Sequence, residues 1–536
     1  MPMKCCVGID LGTTFSSLAY VDEQNALHSL RLERDGYSLA SAVYFPGLDE
    51  EAEVGTKALE FSVISPDRLA RAFKRHMSDE SYRFECDGRS FRAEELSAMV
   101  LKKLLGLAEG VIGPIDAAVI SVPAYFDEAR RQATIAAGRI AGLAAVDLIN
   151  EPEAAALAYG HTLMMTGGLF RDQELNALYG QKATILVYDL GGGTFDVTIA
   201  EYTADEKFRV VATDGDVKLG GEDWDEVLLE WVVRRFYGLT GDPDPALSAR
   251  REFPLTEALR RKDAPTLQSL LLKCVEAKKT LSERNYTTLG LTQEGKEQSV
   301  RIPVGDFERI TAHLVHRTET TTTGILAHSQ MSWSHFDKVL LVGGSSRMPM
   351  IRKMMNRVTG RDINQSLPPD TAIAQGAALY SALRSGERHM KIKEFQSVNS
   401  HPLGLRVRGK TGGQSNHILL PANQPTRTPI TRRYRVTPGK KWGRLVVLQG
   451  DDPNPEACVV LGQGLIHGLP ADTAVDDTVE VTFLFQDNGM LHVTAVHMPR
   501  SGAAYTQVQF DLRVEGSLSE DEITAAKSGL PGIWME

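Results

Sequence analysis

The chain has few cysteines and no long apolar run. Five cysteines in 536 residues, an odd number without C-x-x-C spacing, argue against both a disulfide framework and a zinc site. No uninterrupted apolar segment is long enough to cross a bilayer. Asp10 falls where a secretion signal would need apolar residues, so we expect a cytoplasmic protein with reduced thiols and no membrane partner.

Basic residues are outnumbered by acidic ones. The chain has 59 Lys and Arg against 69 Asp and Glu, a formal net charge of −10, which argues against nucleic acid as a partner. Apolar residues make up 42% of the chain, an ordinary share for a globular protein. The length predicts about three or four domain-sized units.

Two segments far apart in the chain read almost alike. They are GIDLGTTFSSLAY at 8–20 and VYDLGGGTFDVTIA at 187–200. In each, an apolar strand ends in an aspartate, a turn rich in Gly and Thr follows, and a second strand alternates apolar and polar residues. This pattern predicts a β-hairpin. One copy is equally typical of a plain tight turn, but two copies with matching spacing favour a shared function.

The composition of the two turns suits phosphate. Glycine opens backbone conformations that let several N–H groups point into one concavity, and threonine adds short hydroxyl donors. Two such hairpins facing each other would grip a nucleotide from both sides. The residues assigned to phosphate binding are Gly12, Thr13, Thr14, Gly191, Gly192, Gly193 and Thr194.

Three aspartates belong to the same hairpins. Asp10, Asp189 and Asp196 repel phosphate, so they suit a hydrated Mg²⁺ ion or a positioned water instead. We expect Asp10 and Asp189 to hold the metal through water, and all three aspartates to act in catalysis.

Five further segments point to a family. In chain order they are SVPAYFDEARRQAT at 121–134, INEPEAAALAYG at 149–160, KLGGEDWD at 218–225, VLLVGGSSRMPMI at 339–351 and PPDTAIAQGAA at 368–378. Together with the hairpins they resemble the ATPase domain of the seventy-kilodalton heat-shock chaperones of the DnaK type, where the second segment reads I-N-E-P-T-A-A-A-x-A-Y-G. The resemblance implies slow hydrolysis of ATP to ADP with Mg²⁺, and K⁺ as a further ion.

The resemblance assigns roles that the hairpins leave open. The match of RAFKRHMSDESYRF at 71–84 makes Lys74 the lysine that reaches the γ-phosphate, with an exposed lysine at a helix end as the alternative. Glu151 becomes a second catalytic acid, while Pro123 and Arg131 match residues that relay nucleotide state to the interdomain face. Further residues expected at the nucleotide are Gly220, Gly221, Glu222, Lys278, Ser282, Gly343, Gly344, Ser345, Arg347 and Asp370.

Position 275 departs from the family. The segment CVEAKKTLSE at 274–283 resembles C-E-R-A-K-R-T-L-S, and the family's ribose-binding glutamate falls on Val275. A valine cannot accept a hydrogen bond from a ribose hydroxyl. We therefore expect weaker adenosine affinity unless Glu276 compensates.

The pattern of elements divides the chain. Strands that alternate with helices predict an α/β, actin-like two-lobed ATPase domain over residues 1–388. A polar connector at 389–400 leads to short strands at 401–514, which resemble the family's β-sandwich for binding peptides. The segment 515–536 stands where the family's helical lid begins, and we expect a short helical tail there, a rudimentary lid.

The connector and the peptide cleft resemble the family least. The connector offers only Ile392, Phe395 and Val398 for docking, so we expect weak coupling between the domains.

GLRVRGKT at 404–411 fits the P-loop pattern, but no helix follows it, which favours a strand and hairpin turn. The expected cleft residues, which are equally typical of sandwich core, are Ile418, Leu420, Tyr434, Leu445 and Val447.

Three functions compete. The leading one is an ATP-driven chaperone that binds exposed apolar segments of unfolded polypeptides, with a J-domain co-chaperone and a nucleotide exchange factor as partners. The alternative is a nucleotide-gated interaction module dedicated to one partner or assembly. A small-molecule kinase of the actin superfamily is disfavoured, because the DnaK-type segments at Pro123, Glu151 and Gly220 are present and a β-domain follows.

Overall fold

The protein is described here by a computed structural model. It covers residues 6–33, 36–47, 50–166, 182–203, 205–293, 296–363, 368, 370–386, 392–408, 412–435, 442–467, 477–498, 506–509, 513–514 and 517–535. Across these ranges, no helix is both long enough and apolar enough to span a membrane.

A first sheet carries the first predicted hairpin. Its order is β11-β10-β1-β2-β3, with β4 on β2; β1 and β2 are antiparallel, and β10 and β11 run parallel to β1. Asp10, Ser121 and Asn150 therefore lie at one edge, near the carboxyl ends of three parallel strands. In chain order, the strands of this part of the chain, including those of smaller sheets, are β1 Cys6–Leu11, β2 Phe15–Val21, β3 Leu27–Ser29, β4 Ser38–Ala40, β5 Ala42–Tyr44, β6 Glu53–Val54, β7 Leu69–Arg71, β8 Phe84–Cys86, β9 Arg89–Phe91, β10 Ala117–Val122 and β11 Ala145–Asn150.

A second sheet repeats this arrangement. Its order is β17-β12-β13-β14-β18; β12 and β13 form the second predicted hairpin, with Asp189 opposite Asp196, and β17 runs parallel to β12. The turn after β17 thus lies beside the second hairpin. In chain order, the strands of this part of the chain, including the separate pair β15 and β16, are β12 Lys182–Leu190, β13 Phe195–Thr203, β14 Lys207–Asp216, β15 Tyr286–Gln293, β16 Lys296–Pro303, β17 Lys338–Val342 and β18 Glu394–Gln396.

Helices pack on and between the two sheets. Two of them, α4 and α12, are rich in alanine and contribute to one buried cluster with strands of both sheets. They approach so closely that a Cβ atom at Gly376 would meet the backbone of Ala154. The helices are α1 Thr56–Phe61, α2 Ala93–Ile112, α3 Glu128–Ala141, α4 Glu151–Thr166, α5 Gly221–Phe236, α6 Pro245–Ala249, α7 Pro254–Lys262, α8 Ala264–Leu281, α9 Val304–Ile310, α10 Ala312–His328, α11 Pro349–Thr359, α12 Ala372–Ser385 and α13 Glu520–Gly529.

Strands between residues 403 and 514 form two antiparallel sheets around a buried apolar core. Their orders are β20-β19-β22-β23-β27 and β21-β24-β25-β26. The hairpin predicted at Asn488 and Gly489 joins β24 to β25, and Gly489 has the positive φ of 83° that favours glycine. The strands are β19 Leu403–Arg408, β20 Gln414–Leu420, β21 Ile430–Arg435, β22 Trp442–Gln449, β23 Val459–His467, β24 Thr478–Phe485, β25 Leu491–Met498, β26 Thr506–Gln509 and β27 Arg513–Val514.

The segment that resembles a P-loop lies on strands. Its first residues form β19, which pairs antiparallel with β20, and residues 409–411 lie outside the described part of the chain. A strand, not a helix, therefore follows the motif. The prediction of a strand and hairpin in place of a phosphate loop is confirmed.

The connector docks on the second sheet. Strand β18 pairs parallel with β14, and the Phe395 ring lies 5.2 Å from Phe208 and 4.8 Å from Tyr380 between centroids. Ile392 and Val398 are also buried in the cluster between the two sheets. Three apolar residues are thus enough to dock the connector, and the weak coupling expected between the domains stays a prediction.

The tail packs on two helices beside the first sheet, α2 and α3. Ile523 of α13 is buried with residues of α2 and α3, and Arg139 of α3 donates to both carboxylate oxygens of Glu520 at 2.6 and 2.5 Å. Beyond the helix, Ile533 forms a parallel β-bridge with Ala52. The helix expected as a rudimentary lid therefore lies against α2 and α3, beside the first sheet.

Candidate nucleotide site

The two hairpins face each other across a cavity of about 540 Å³, a size typical of small-molecule sites. Their turns nearly touch, because a Cβ atom at Gly192 would overlap the Thr14 hydroxyl and one at Gly193 would meet Thr13. Glycine is therefore required where the second turn passes the first.

Most of the predicted site residues line this cavity. They come from both sheets and from helix α8, segments that are far apart in the chain. The predicted residues in the wall are Asp10, Gly12, Thr13, Thr14, Lys74, Glu151, Asp189, Gly191, Gly192, Thr194, Lys278, Ser282, Gly343, Gly344, Ser345, Arg347 and Asp370.

Five predicted residues lie behind the wall. Four of them were expected to touch the nucleotide, which stays a prediction; Gly193 belongs to the second turn, and the other three lie at the start of α5, which braces it. The Gly221 and Glu222 N–H groups donate at 2.9 Å to the carbonyls of Gly191 and Gly192, so the start of α5 braces the turn, while the Glu222 carboxylate lies 3.6 Å from the Arg71 guanidinium. The five residues are Gly193, Asp196, Gly220, Gly221 and Glu222.

A buried ion pair lies at the phosphate end. The Lys74 ammonium is 2.6 Å from the Glu151 carboxylate, and the Lys74 side chain is only 3% exposed. An exposed lysine at a helix end is therefore excluded. Beside the pair, the Ser121 hydroxyl donates to Asp10 at 2.8 Å, and the Tyr125 N–H donates to Asp196 at 3.1 Å.

The buried carboxyl groups at this end of the cavity outnumber the positive charges close to them. Burial, followed by the nearby Glu151 carboxylate, raises the pKa of Asp10 to about 7 and that of Asp196 to about 8. The same causes hold the pKa of Asp189 well above its ordinary value. Four buried carboxyl groups beside one lysine make a site that favours a cation.

Four buried polar atoms of wall residues lack hydrogen-bond partners within the described residues: Thr14 Oγ1, Ser17 Oγ, Asp189 Oδ2 and Asp225 Oδ1. The Thr14 hydroxyl and the Asp189 Oδ2 atom are buried and accept or donate no hydrogen bond within the described residues. Buried polar atoms are normally paired, and a ligand bound in the cavity would satisfy both. No cluster of three or more His, Cys, Asp or Glu able to hold a metal occurs in the described ranges. The carboxylates of Asp10 and Asp189 in the wall are oxygen ligands of the kind that suits Mg²⁺ held through its water shell.

The other end of the cavity is lined by helix α8. Val275 is in the wall, whereas Glu276 pairs with Lys279 at 2.7 Å and is absent from the wall. Glu276 therefore does not replace the missing ribose acceptor in this arrangement. Glu283, just beyond α8, does line the cavity.

Some wall residues were missed by the sequence reasoning. Phe15, Lys279 and Glu283 line the cavity, and the Lys279 ammonium lies 5.8 Å from the centre of the Phe15 ring across the cleft. A helical signal could have found two of them, because steps of three or four residues from Val275 reach Lys279 and then Ser282 and Glu283.

The expected peptide-cleft residues separate into two groups. Leu420 and Val447 are 2% and 0% exposed and belong to the core of the sandwich, so they cannot line an open cleft. Tyr434 and Leu445 pack partly against that core, and Ile418 is exposed. The sandwich core explains Leu420 and Val447, which corrects their assignment to the cleft.

The two expected coupling residues lie between site and sandwich. Pro123 is buried directly after β10. Arg131 is also buried, and its guanidinium donates to the Asn150 side-chain oxygen at 2.7 Å. A Cβ atom at Gly489 of the sandwich would come within 2.7 Å of the Arg131 side chain, so the two regions are in direct contact there.

Comparisons with known proteins agree with this architecture. The model of the Hsp70 protein family matches residues 6–528. The chaperone protein DnaK of Thermosipho africanus is 33% identical over 529 residues, covering 96% of this chain and 81% of the relative. DnaK proteins of Thermotoga petrophila and Thermotoga sp. are 33% identical over 528 residues, covering 96% of this chain and 82% of each relative. The chain therefore belongs to the Hsp70 family, and it is an ATPase and an ATP-dependent molecular chaperone.

Proposed function

We propose that ATP binds between the two hairpins of an actin-like ATPase domain and that its hydrolysis governs a β-sandwich that holds exposed apolar segments of unfolded polypeptides. The observation that carries the nucleotide site is the pair of unpartnered buried atoms, Thr14 Oγ1 and Asp189 Oδ2. They reach the same cavity from opposite sheets. A polyphosphate with a hydrated cation satisfies both.

Each part of the wall has a role in this proposal. The threonines and glycines of the turns bind phosphate oxygens, and Asp10 and Asp189 hold the water shell of Mg²⁺. When bound, the cation neutralises charge on the phosphates. Lys74, held by Glu151 at 2.6 Å, orients the attacking water near the γ-phosphate. Asp196 lies one layer deeper and orders the hairpin through the Tyr125 N–H.

The proposed partners follow from this cycle. They are extended polypeptides, a J-domain co-chaperone and a nucleotide exchange factor, in the cytoplasm. Support comes from the docked connector, which links the sandwich directly to the ATPase sheets. A peptide that changes the sandwich can in this way affect hydrolysis.

Turnover with and without a panel of unrelated unfolded peptides tests the proposal. We expect slow hydrolysis that requires Mg²⁺ and is stimulated by several unrelated peptides. A chain carrying Lys74→Ala gives the background rate. Hydrolysis that no peptide alters would refute the general chaperone cycle, and absence of hydrolysis would refute the site.

A dedicated interaction module remains the second candidate. It is favoured by the burial of Leu420 and Val447 in the core, because this leaves fewer apolar side chains for a general peptide cleft. In that case one partner, and not unrelated peptides, would stimulate turnover. The same peptide panel therefore separates the two functions.

A further inference from the structure

Glu153 is a buried acid where the related segment of the family has threonine. Its side chain has 0% exposure, and it lies in the first turn of α4, two residues after Glu151. An ionisable group is costly to bury unless its neighbours hold it. The hydrolytic chemistry proposed above gives Glu153 no role, so its burial needs another explanation.

One oxygen of this acid joins two regions of the chain. Glu153 Oε1 accepts from the Asn150 amide at 2.8 Å and from the Ser397 hydroxyl at 2.5 Å, although Ser397 is 244 positions away in the connector. The other oxygen, Oε2, is buried and has no hydrogen-bond partner in the parts of the chain described. The acid is therefore held by the connector on one side and by the end of β11 on the other.

Ser397 is also hydrogen-bonded to the sandwich. Its carbonyl accepts from the Thr426 N–H at 2.9 Å and from the Thr426 hydroxyl at 3.0 Å. The hydroxyl of Ser397 thus points to the ATPase domain while its carbonyl is bound by the sandwich. Movement of the sandwich must break one of these contacts or move Glu153.

The same turn of α4 contains Glu151, the acid of the Lys74–Glu151 pair. Glu151 binds Lys74, and Asn150 precedes it directly in the chain. Asn150 also accepts from Arg131, which contacts the sandwich at Gly489. Two sandwich contacts therefore converge on Asn150 and Glu153, which flank Glu151, the acid that holds the catalytic lysine.

We propose that Glu153 is a positioning residue that transmits connector docking, through Ser397, to the Lys74–Glu151 pair. The inference rests on the proposed hydrolysis, but it concerns the control of that site by the connector. With Ser397 in place, the first turn of α4 is held and Lys74 is fixed for reaction. When the connector leaves, Glu153 loses a hydrogen bond and the turn is released.

A double-mutant cycle in the full chain tests the link. Glu153→Ala and Ser397→Ala should each slow single-turnover hydrolysis by about fivefold or more, the usual range for coupled sites. The double variant should be no slower than either single variant, because the two residues act through one contact. Glu153→Gln keeps an acceptor for Ser397 and should restore most of the rate. Additive effects, or no effect of Ser397→Ala, would overturn the proposal.

A control separates this link from general docking. His401→Phe removes the hydrogen bond from the His401 ring to the Tyr125 carbonyl but keeps an aromatic ring against Tyr125. Its effect on turnover should add to that of Glu153→Ala. Coupling of His401→Phe to Glu153→Ala as strong as that of Ser397→Ala would show that Glu153 reports docking in general, which would also overturn the proposal.

Hydrogen exchange provides a readout independent of turnover. Amide exchange in residues 394–398 should accelerate by at least about fivefold in Glu153→Ala and stay near the original rate in Glu153→Gln. If the unaltered chain hydrolyses no ATP, the proposed function fails, and exchange alone then decides whether Glu153 holds the connector. Unchanged exchange in Glu153→Ala would refute the inference even if hydrolysis is normal.

Discussion

At the phosphate end, Lys74 is the single basic side chain paired among four buried acids. Burial first, and then the like charge of neighbouring carboxylates, raises the pKa values of the three aspartates. A bound cation would relieve this repulsion, so the site is prepared for Mg²⁺ at a cost to the empty protein. Removing one acid or the lysine should therefore affect hydrolysis more than folding.

Lys74→Ala should leave nucleotide bound but slow its hydrolysis by about two orders of magnitude. The loss of one preorganised electrostatic contact near the reacting phosphate typically has this effect. Calorimetry with ADP and single-turnover hydrolysis, measured on the same preparation, check the two parts. Normal hydrolysis in this variant would remove Lys74 from the catalytic set.

Ribose recognition should depend on positions 275 and 283. Val275→Glu should tighten ADP binding by a few-fold, about 1 kcal/mol, because it adds one hydrogen-bond acceptor at the wall. Glu283→Ala should weaken binding by a similar factor if Glu283 already accepts from the ribose. Glu276→Ala is the matched control and should change nothing, since its side chain pairs with Lys279. Calorimetric affinities that are equal for all variants would contradict both roles.

Among the elements, the helix α13 is ordered by its partners. It has ten residues and a capping box at Ser519, yet helices of this length are marginal in water when isolated. Its order comes from Ile523, from the Arg139–Glu520 pair and from Ile533 beyond its end. The tail therefore holds to the ATPase lobe through both a helix and an extended segment.

Ile533→Asp should detach this tail. Ile533 is 5% exposed within the core of the first lobe, and a carboxylate there would be desolvated without a partner. Amide exchange in residues 520–529 should then accelerate by about tenfold or more. Trp534→Ser is the control, because the Trp534 side chain is 39% exposed, and it should leave exchange nearly unchanged. Equal protection in both variants would show that Ile533 does not anchor the helix.

Local elements could be predicted from sequence, and long-range contacts could not. The hairpins at 8–20 and 187–200 and the turn at Gly489 carry their signals within a few residues. Glu153 carries no such signal, because its partner Ser397 belongs to a connector far along the chain. In β20 three apolar residues follow one another, Ile418, Leu419 and Leu420, so the sequence does not show which of them meets the core.

On the scale of the whole molecule, the sandwich, the connector and the tail all contact the ATPase region. Asn423 of the sandwich accepts from the Thr213 N–H at 2.9 Å, and Gln132 of α3 donates to the Met490 sulfur at 3.0 Å. The contacts of the sandwich are polar and single, whereas the connector and the tail dock through buried apolar side chains. Interfaces like that of the sandwich are ones that nucleotide or solution conditions can shift.

Docking of the sandwich should strengthen as the pH falls. Glu128 lies where α3 meets the sandwich, beside His401, Gly489 and its own neighbours Arg131 and Gln132. Burial raises its pKa from an ordinary 4.5 to about 7. The docked state therefore keeps a proton that the exposed carboxyl would lose between these values.

The sign follows from proton linkage. Docking takes up a proton at Glu128 between its two pKa values, so this group alone should raise the docking equilibrium constant by about tenfold from pH 8 to pH 6, while His401, whose pKa burial lowers, offsets part of the rise. Small-angle scattering or exchange at the interface, measured at both values, reports the docked fraction. The variant Glu128→Gln should lose most of this dependence. An interface that loosens toward pH 6 in the unaltered chain, and not in the variant, would have the opposite sign and contradict the assignment.

The most direct test of one ATP held between two hairpins is single-turnover hydrolysis in Asp10→Asn and Thr194→Ala. These residues come from different hairpins and both line the cavity. Each change should lower the rate by about two orders of magnitude, with the circular dichroism of the folded chain unchanged. Near-normal hydrolysis in both variants would contradict the placement of ATP between the hairpins.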